Sequence, residues 1–182
     1  MRSPATIRSA DPDRDGAACA AIYAPYVESG PISFEERAPD AAAMAARIET
    51  TGATHPWLVA ERGGEAVGYA YACPHRQRIA YRWSVDVSVY VAPGQVGQGI
   101  GHDLYTELCA RLRRQGFRMA CAGITLPNPA SVALHESLGF VQVGTMRQIG
   151  FKAGAWRDVG WWQLELAPAT DPPPDPLPPE RA

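Results

Sequence analysis

Val85-Asp86-Val87-Ser88-Val89-Tyr90-Val91-Ala92-Pro93-Gly94-Gln95-Val96-Gly97-Gln98-Gly99-Ile100-Gly101 carries a β-branched run through a glycine-rich turn into a segment whose apolar residues recur at Ile100, Leu104, Leu108 and Leu112. That spacing predicts a helix over 99–115, closed by Gly116. A strand entering a helix through glycines is the geometry of a phosphate cradle: no Cβ keeps a ligand off the backbone, and the first N–H groups of the helix have no partner inside it. On the glycines alone, a tight turn ahead of a helix reads equally well. A further strand is expected over 119–124. Strand, helix and strand in that order imply a parallel pair with a right-handed crossover, which places the turn at the carboxyl edge of the sheet of an α/β fold.

Two phosphate carriers fail the test. A nucleoside-triphosphate loop would continue into Gly-Lys-Ser/Thr, but Gly101 is followed by His102 and Asp103. A dinucleotide fingerprint needs its third glycine where His102 stands, and no earlier strand-helix-strand unit surrounds the loop.

Working outward, the 182 residues fit one domain with a full core, and 46% hydrophobic content with a net charge of -2 describes an ordinary globular chain without a nucleic-acid footprint. The N-terminal residues lack the apolar core of a signal peptide and no apolar run is long enough to span a membrane, so a cytoplasmic protein is expected. Cys19, Cys73, Cys109 and Cys121 are widely spaced, with no Cys-x-x-Cys and no His at ligand spacing. Reduced thiols are expected and no metal is implied.

Residues 6–8 read as a strand, and Asp11-Pro12-Asp13 opens a helix that should break or kink at Pro25. A second helix is expected over 40–50, and runs at 57–60 and 66–72 flank Arg62-Gly63-Gly64 as a hairpin. After the strand at 119–124, a helix over 128–138 ends at Gly139, and strands at 140–144 and 159–166 close the sheet. The last segment, 167–182, is rich in proline and reads as a mobile extension.

The glycine turn together with Asn128-Pro129-Ala130-Ser131-Val132-Ala133-Leu134-His135-Glu136-Ser137-Leu138-Gly139-Phe140 resembles the acetyl-CoA site of the GCN5-related N-acetyltransferases. More narrowly, Pro56-Trp57-Leu58-Val59-Ala60, Leu104-Tyr105-Thr106, Leu126-Pro127-Asn128 and Gly150-Phe151-Lys152 resemble the phosphinothricin N-acetyltransferases, over nearly the whole of 1–166. The resemblance implies a mixed-sheet acyl-CoA N-acyltransferase fold in which two central parallel strands, here 85–91 and 119–124, splay apart. Acetyl-CoA would enter between them as co-substrate. Its pantetheine arm would lie along Val89, Tyr90 and Val91, its pyrophosphate would sit on Gly97, Gln98, Gly99, Ile100, Gly101 and His102, and Asn128 and Ser131 would flank it. The family usually carries Arg or Gln where this chain has Val96, which implies weaker electrostatic help for the phosphates without loss of binding.

On the strand itself, Val85, Val87, Val89 and Val91 share one face while Asp86, Ser88 and Tyr90 share the other. A central parallel strand is normally apolar on both faces, so a polar face marks either a half-exposed strand or a site. The resemblance implies a site, since the family has a glutamate general base at the position of Asp86. An amine attacks a thioester only when neutral, and its proton must leave. Asp86 is a methylene shorter, which implies relay through water. His135 falls where the wider family has an acid that protonates the departing thiolate; a hydrogen-bonded helix histidine without that role is the alternative.

If residues 74–81 are extended, Arg76 and Arg78 project to the same side and match carboxylate or phosphinate oxygens. Read alone, they are better taken as solvated surface arginines on a loop. The resemblance places them, with Phe34, Tyr81, Ser88 and Thr125, in the pocket of a small anionic amino acid such as phosphinothricin or methionine sulfoximine or sulfone. A broader amino-acid, amine or protein N-terminal acetyltransferase and a non-catalytic acyl-CoA-binding module are the alternatives. Relatives imply a homodimer, to which Trp156, Trp161 and Trp162 could contribute; core packing would explain those tryptophans equally well.

Overall fold

A computed structural model describes residues 5–179. One seven-stranded sheet runs in the order β1-β2-β3-β4-β5-β7-β6. Its strands are β1 (Thr6–Ser9), β2 (Trp57–Arg62), β3 (Glu65–Pro74), β4 (Ser84–Val91), β5 (Met119–Leu126), β6 (Val141–Lys152) and β7 (Ala155–Glu165). The helices are α1 (Pro12–Glu28), α2 (Ala41–Gly52), α3 (Ile100–Gln115) and α4 (Pro129–Ser137). Asp11 caps α1 as its sequence position indicates, and Asp40 and Asn128, expected as first helical residues, cap α2 and α4; all three accept backbone N–H groups. The β2–β3 hairpin turns at Gly63-Gly64, and Gly116 closes α3 in the left-handed conformation.

The sheet divides two cores. Val85, Val87, Ala120, Ala122, Ile124 and Trp162 pack with α3 on one face. Tyr69, Trp57 and Val59, joined by partly buried Tyr71 and Tyr90, pack with α1 and α2 on the other. The polar side of β4 thus looks toward α1 and α2, and Tyr90 closes part of it by edge contacts with Tyr23 and Tyr26 at 4.8 and 5.1 Å.

The sequence expectations need three corrections. Helix α1 runs through Pro25 to Glu28. Proline removes one hydrogen bond, but beyond it Val27 is buried and the Tyr26 hydroxyl donates to the Val91 carbonyl at 2.6 Å, so tertiary contacts hold the last turn. Strands β6 and β7 are far longer than 140–144 and 159–166 imply, forming a hairpin that turns at Ala153-Gly154. The proline-rich segment, expected as a mobile extension, is held on the body: the Leu177 N–H donates to the Gln115 carbonyl at 2.7 Å, the Gln115 amide donates back to the Leu177 carbonyl at 2.7 Å, and the Trp83 indole N–H donates to the Pro174 carbonyl at 2.7 Å. Proline cannot use its nitrogen as a donor, but its carbonyls still accept.

Candidate active site

Strands β4 and β5 run parallel and pair only at Ser84 with Met119, Val85 with Ala120 and Asp86 with Cys121. Beyond Asp86 they part, while β4 stays paired with β3 up to Val91 and β5 stays paired with β7 up to Leu126. The expected splay therefore exists, with Asp86 at its fork. The gap holds Ser88, Val89, Tyr90, Gly123, Thr125, Asn128, Ser131 and His135. It opens into a cleft of about 590 Å³ lined by Tyr26, Val89, Tyr90, Val91, Gly97, Gly99, Ile100, Gly101, His102, Asn128, Ser131 and Leu134.

The cleft meets the demands of a long phosphorylated thioester. Gly97 and Gly99 have φ of +77° and +81°, a region that L side chains adopt at a cost, and nothing lies within 4 Å of where a Cβ would be. The turn thus presents bare backbone directly ahead of α3, whose unpaired N–H groups and positive end suit a pyrophosphate. Three side chains brace this turn. Arg62 donates from Nη1 to Gln95 Oε1 at 2.9 Å and Gln98 Oε1 at 2.7 Å, and Gln98 donates to the Gly94 carbonyl at 3.0 Å. A cation from β2 therefore stands behind the turn that lacks one at Val96.

The backbone of Val91 is engaged: the Tyr26 hydroxyl donates to its carbonyl and receives its N–H at 3.4 Å. Asn128 spends its side-chain oxygen on the Ser131 N–H at 3.2 Å, capping α4 at the cleft wall. His135 is almost fully buried. Its Nδ1 lies 2.7 Å from the Ser131 carbonyl, which only accepts, so Nδ1 carries the proton and Nε2 accepts from the Tyr105 hydroxyl at 3.1 Å. Burial pushes the His135 pKa down against the Ser131 hydrogen bond. The imidazole is therefore neutral, with no proton on its Tyr105 side to give to a thiolate.

At the fork, cross-strand register sets the surroundings of Asp86. Cys73 of β3 and Cys121 of β5 stand directly beside it. His75 bonds its Nδ1 to Asp86 Oδ1 at 2.6 Å. Burial pushes the Asp86 carboxyl above its ordinary value of 3.8, opposed by the His75 hydrogen bond and the charge of Arg76. Burial also lifts the Cys73 and Cys121 thiols to about 11, so both keep their protons at neutral pH. His75, Asp86 and Cys121 bring donor atoms within 4.8 Å, a grouping that sequence spacing gave no sign of. Within it His75 and Asp86 form a hydrogen-bonded pair, with the Cys121 sulfur close by.

The substrate residues divide. Residues 75–78 bend instead of extending, so the alternation that would put Arg76 and Arg78 on one side does not apply. Arg76 lies over the Trp161 ring at 5.8 Å, and Trp161 packs across Gly123 of β5. Arg78 stands at the start of a turn of 3-10 helix (Ile79–Tyr81), and both arginines border a cavity with His55, Phe117 and Leu177. Tyr81 meets the His75 ring edge-on at 5.9 Å. Phe34 packs on Gly150 of β6, and Thr125 donates to the Ile32 carbonyl at 3.4 Å, tying that loop to the end of β5. His75, Tyr105, Arg62 and Trp161 were missed in the sequence. His75 lies within a segment singled out for its arginines, and only the β3–β4 register brings it to Asp86.

The acetyltransferase (GNAT) family model matches residues 19–140. Over 156 residues, 85% of this chain and 79% of the relative, the chain is 44% identical to a phosphinothricin N-acetyltransferase of Alcaligenes faecalis. It is 38% identical over 162 residues, 88% of this chain and 94% of the relative, to an L-methionine sulfoximine/L-methionine sulfone acetyltransferase of Salmonella typhimurium. Among solved structures, a GNAT-superfamily phosphinothricin acetyltransferase of Sinorhizobium meliloti in complex with acetyl-CoA superposes with a TM-score of 0.88 at 39% identity, covering 96% of this chain and 94% of that one. Fold, fork, glycine turn and these likenesses agree, and the chain belongs to the GNAT acetyltransferase family, in its phosphinothricin N-acetyltransferase branch.

Proposed function

We propose that this protein transfers the acetyl group of acetyl-CoA to the α-amino group of a small amino acid with an anionic or tetrahedral head, phosphinothricin or methionine sulfoximine or sulfone. The observation that carries this reading is the fork: pairing between β4 and β5 stops at Asp86, so one carboxylate stands where a cleft for a thioester meets a cluster of cationic and aromatic side chains. Gly97 to His102 and the start of α3 hold the phosphates through backbone N–H groups, and the free edge of Val89 holds the pantetheine. Acetyl-CoA supplies the activated carbonyl. Backbone donors at the fork stabilise the charge that develops on its oxygen. Asp86 organises removal of the ammonium proton, and Arg76 receives the substrate's anionic head, its guanidinium already positioned over Trp161.

Two copies pair through the β6–β7 hairpin, in this reading. Strand β6 is exposed along nearly its whole length and carries Val141, Val143, Met146, Ile149 and Phe151, beside exposed Trp156 of β7. The other two tryptophans belong inside: Trp162 is buried and Trp161 covers Gly123. The four free cysteines suit a reducing compartment such as the cytoplasm.

The test is release of free thiol from acetyl-CoA with phosphinothricin, methionine sulfone, a polyamine and a peptide N-terminus as acceptors. Turnover confined to the two amino acids is expected. Equal turnover of the polyamine or the peptide would replace this reading with a broad acetyltransferase, and thiol release with none of them would leave a binding module.

A further inference from the structure

The shortened carboxylate at Asp86 and the histidine at position 75 form one device. The β3–β4 ladder continues past Pro74, the His75 N–H donating to the Ser84 carbonyl at 3.3 Å. In an antiparallel pair this sets His75 diagonally beside Asp86 on the same face. The ring is held by edge contacts with Tyr81 and Trp161, each at 5.9 Å, and its side chain is only 17% exposed. Asp86 Oδ1 takes Nδ1 at 2.6 Å.

We propose that His75 is the proton acceptor of the reaction: Asp86 holds its Nδ1–H, and Nε2 faces the substrate ammonium. This rests on the acetyltransferase reading above and names the atom that the proton reaches. An ionised carboxylate only accepts, so Nδ1 carries the hydrogen and the lone pair lies on Nε2, the division of labour of an aspartate–histidine pair. Nε2 has no hydrogen-bond partner among the described residues and is not among the buried atoms without one, so it opens to solvent. Asp86 cannot do the same work alone. It is fixed on a strand between Cys73 and Cys121, and one of its oxygens is already taken. The imidazole extends its reach by a ring, and does so beside Trp161 and Arg76 where the substrate head is received.

The step balances without a further reactant. The ammonium gives one proton to Nε2, and the freed lone pair on nitrogen forms the bond to the acetyl carbon. The carbon–sulfur bond breaks, and the sulfur leaves as thiol with a second proton from the nitrogen. The proton on His75 passes to water, leaving the N-acetylated amino acid and free thiol.

The experiment uses the full chain and the variants His75→Asn, His75→Gln and Asp86→Asn, with methionine sulfone as acceptor. Asparagine keeps an N–H for Asp86 but has no basic nitrogen. His75→Asn should lower kcat by about 100-fold or more with the KM for acetyl-CoA unchanged, and added imidazole should restore part of the rate. The acid limb of the kcat/KM profile should disappear with it; the groups facing the ring are Asp86, Cys73, Cys121, Arg76 and Tyr81, and all of them survive the substitution. Independently of turnover, ¹⁵N-histidine spectra of the unliganded protein should show His75 as the Nδ1–H tautomer, lost in Asp86→Asn. Melting curves of both His75 variants establish that they fold. Parental kcat in His75→Asn or His75→Gln with a loss in Asp86→Asn would overturn the proposal and leave Asp86 as the sole base, the functional reading intact. An Nε2–H tautomer would overturn it too. Parental kcat in all three variants would remove the fork from the chemistry, and with it the functional reading of this site.

Discussion

The cleft proposed for acetyl-CoA and the fork at Asp86 share strand β4, but one is built from backbone and the other from side chains. In the cleft, Gly97 and Gly99 turn the chain at positive φ and α3 offers its N–H groups, so the binding elements are peptide units fixed by the fold. At the fork, Asp86, His75, Cys121 and Arg76 come from β4, the segment after β3, and β5, and their grouping depends on strand register. A site made of backbone is expected to tolerate side-chain change such as Val96. Side-chain sites do not, because each member sets the protonation or orientation of another.

The largest expected difference between the two regions is in turnover. Asp86→Asn should lower kcat for thiol release by about 100-fold or more. The pH dependence has a definite sign: burial raises the Asp86 carboxyl above its ordinary 3.8, so activity falls on the acid side at a higher pH than a free carboxylate would set, since a protonated Asp86 stops accepting the His75 hydrogen. A profile flat down to pH 4 would break that link. Next is anion recognition. Arg76→Ala should raise the KM for phosphinothricin about tenfold, the worth of a charged hydrogen bond, whereas Arg78→Ala should leave it near the parental value because, among the described residues, Arg76 and not Arg78 lies over Trp161. Equal effects would rejoin the two arginines.

In the cleft the effects are smaller. Gly99→Ala meets no protein atom, but it strains a φ of +81° and puts a Cβ on the bare backbone that would face the phosphates, so acetyl-CoA affinity should weaken by about fivefold or more, about 1 kcal/mol at least, with the substrate KM unchanged. Tyr26→Phe frees the Val91 carbonyl and N–H, and should tighten acetyl-CoA binding by about twofold, measured by calorimetry. Weaker binding in that variant would make Tyr26 a support for β4 and not a competitor for its edge.

The same contrast explains what could be read in advance. Local rules govern the cleft, so the glycine turn and the stripe Ile100, Leu104, Leu108, Leu112 were legible from spacing alone, as was the cap at Asp11. Asp86 was legible as a polar residue on a strand that should be apolar, and its role came from resemblance. His75 was not, because its meeting with Asp86 follows from a register that no local pattern encodes. Arg76 and Arg78 were paired by an alternation that holds only in a strand, and the chain bends after Pro74. The stop expected at Pro25 and the free tail expected after residue 166 failed for a shared reason: Val27, Tyr26 and Gln115 supply tertiary partners that outweigh local composition.

The separation of binding from proton removal is tested most directly by calorimetric titration of acetyl-CoA into Asp86→Asn and Gly99→Ala, with thiol release measured at saturating acetyl-CoA. The expected result is crossed: Asp86→Asn binds acetyl-CoA as the parent does but turns over slowly, and Gly99→Ala binds weakly but reaches the parental kcat once saturated. Loss of acetyl-CoA binding in Asp86→Asn, or a lowered saturated kcat in Gly99→Ala, would contradict it.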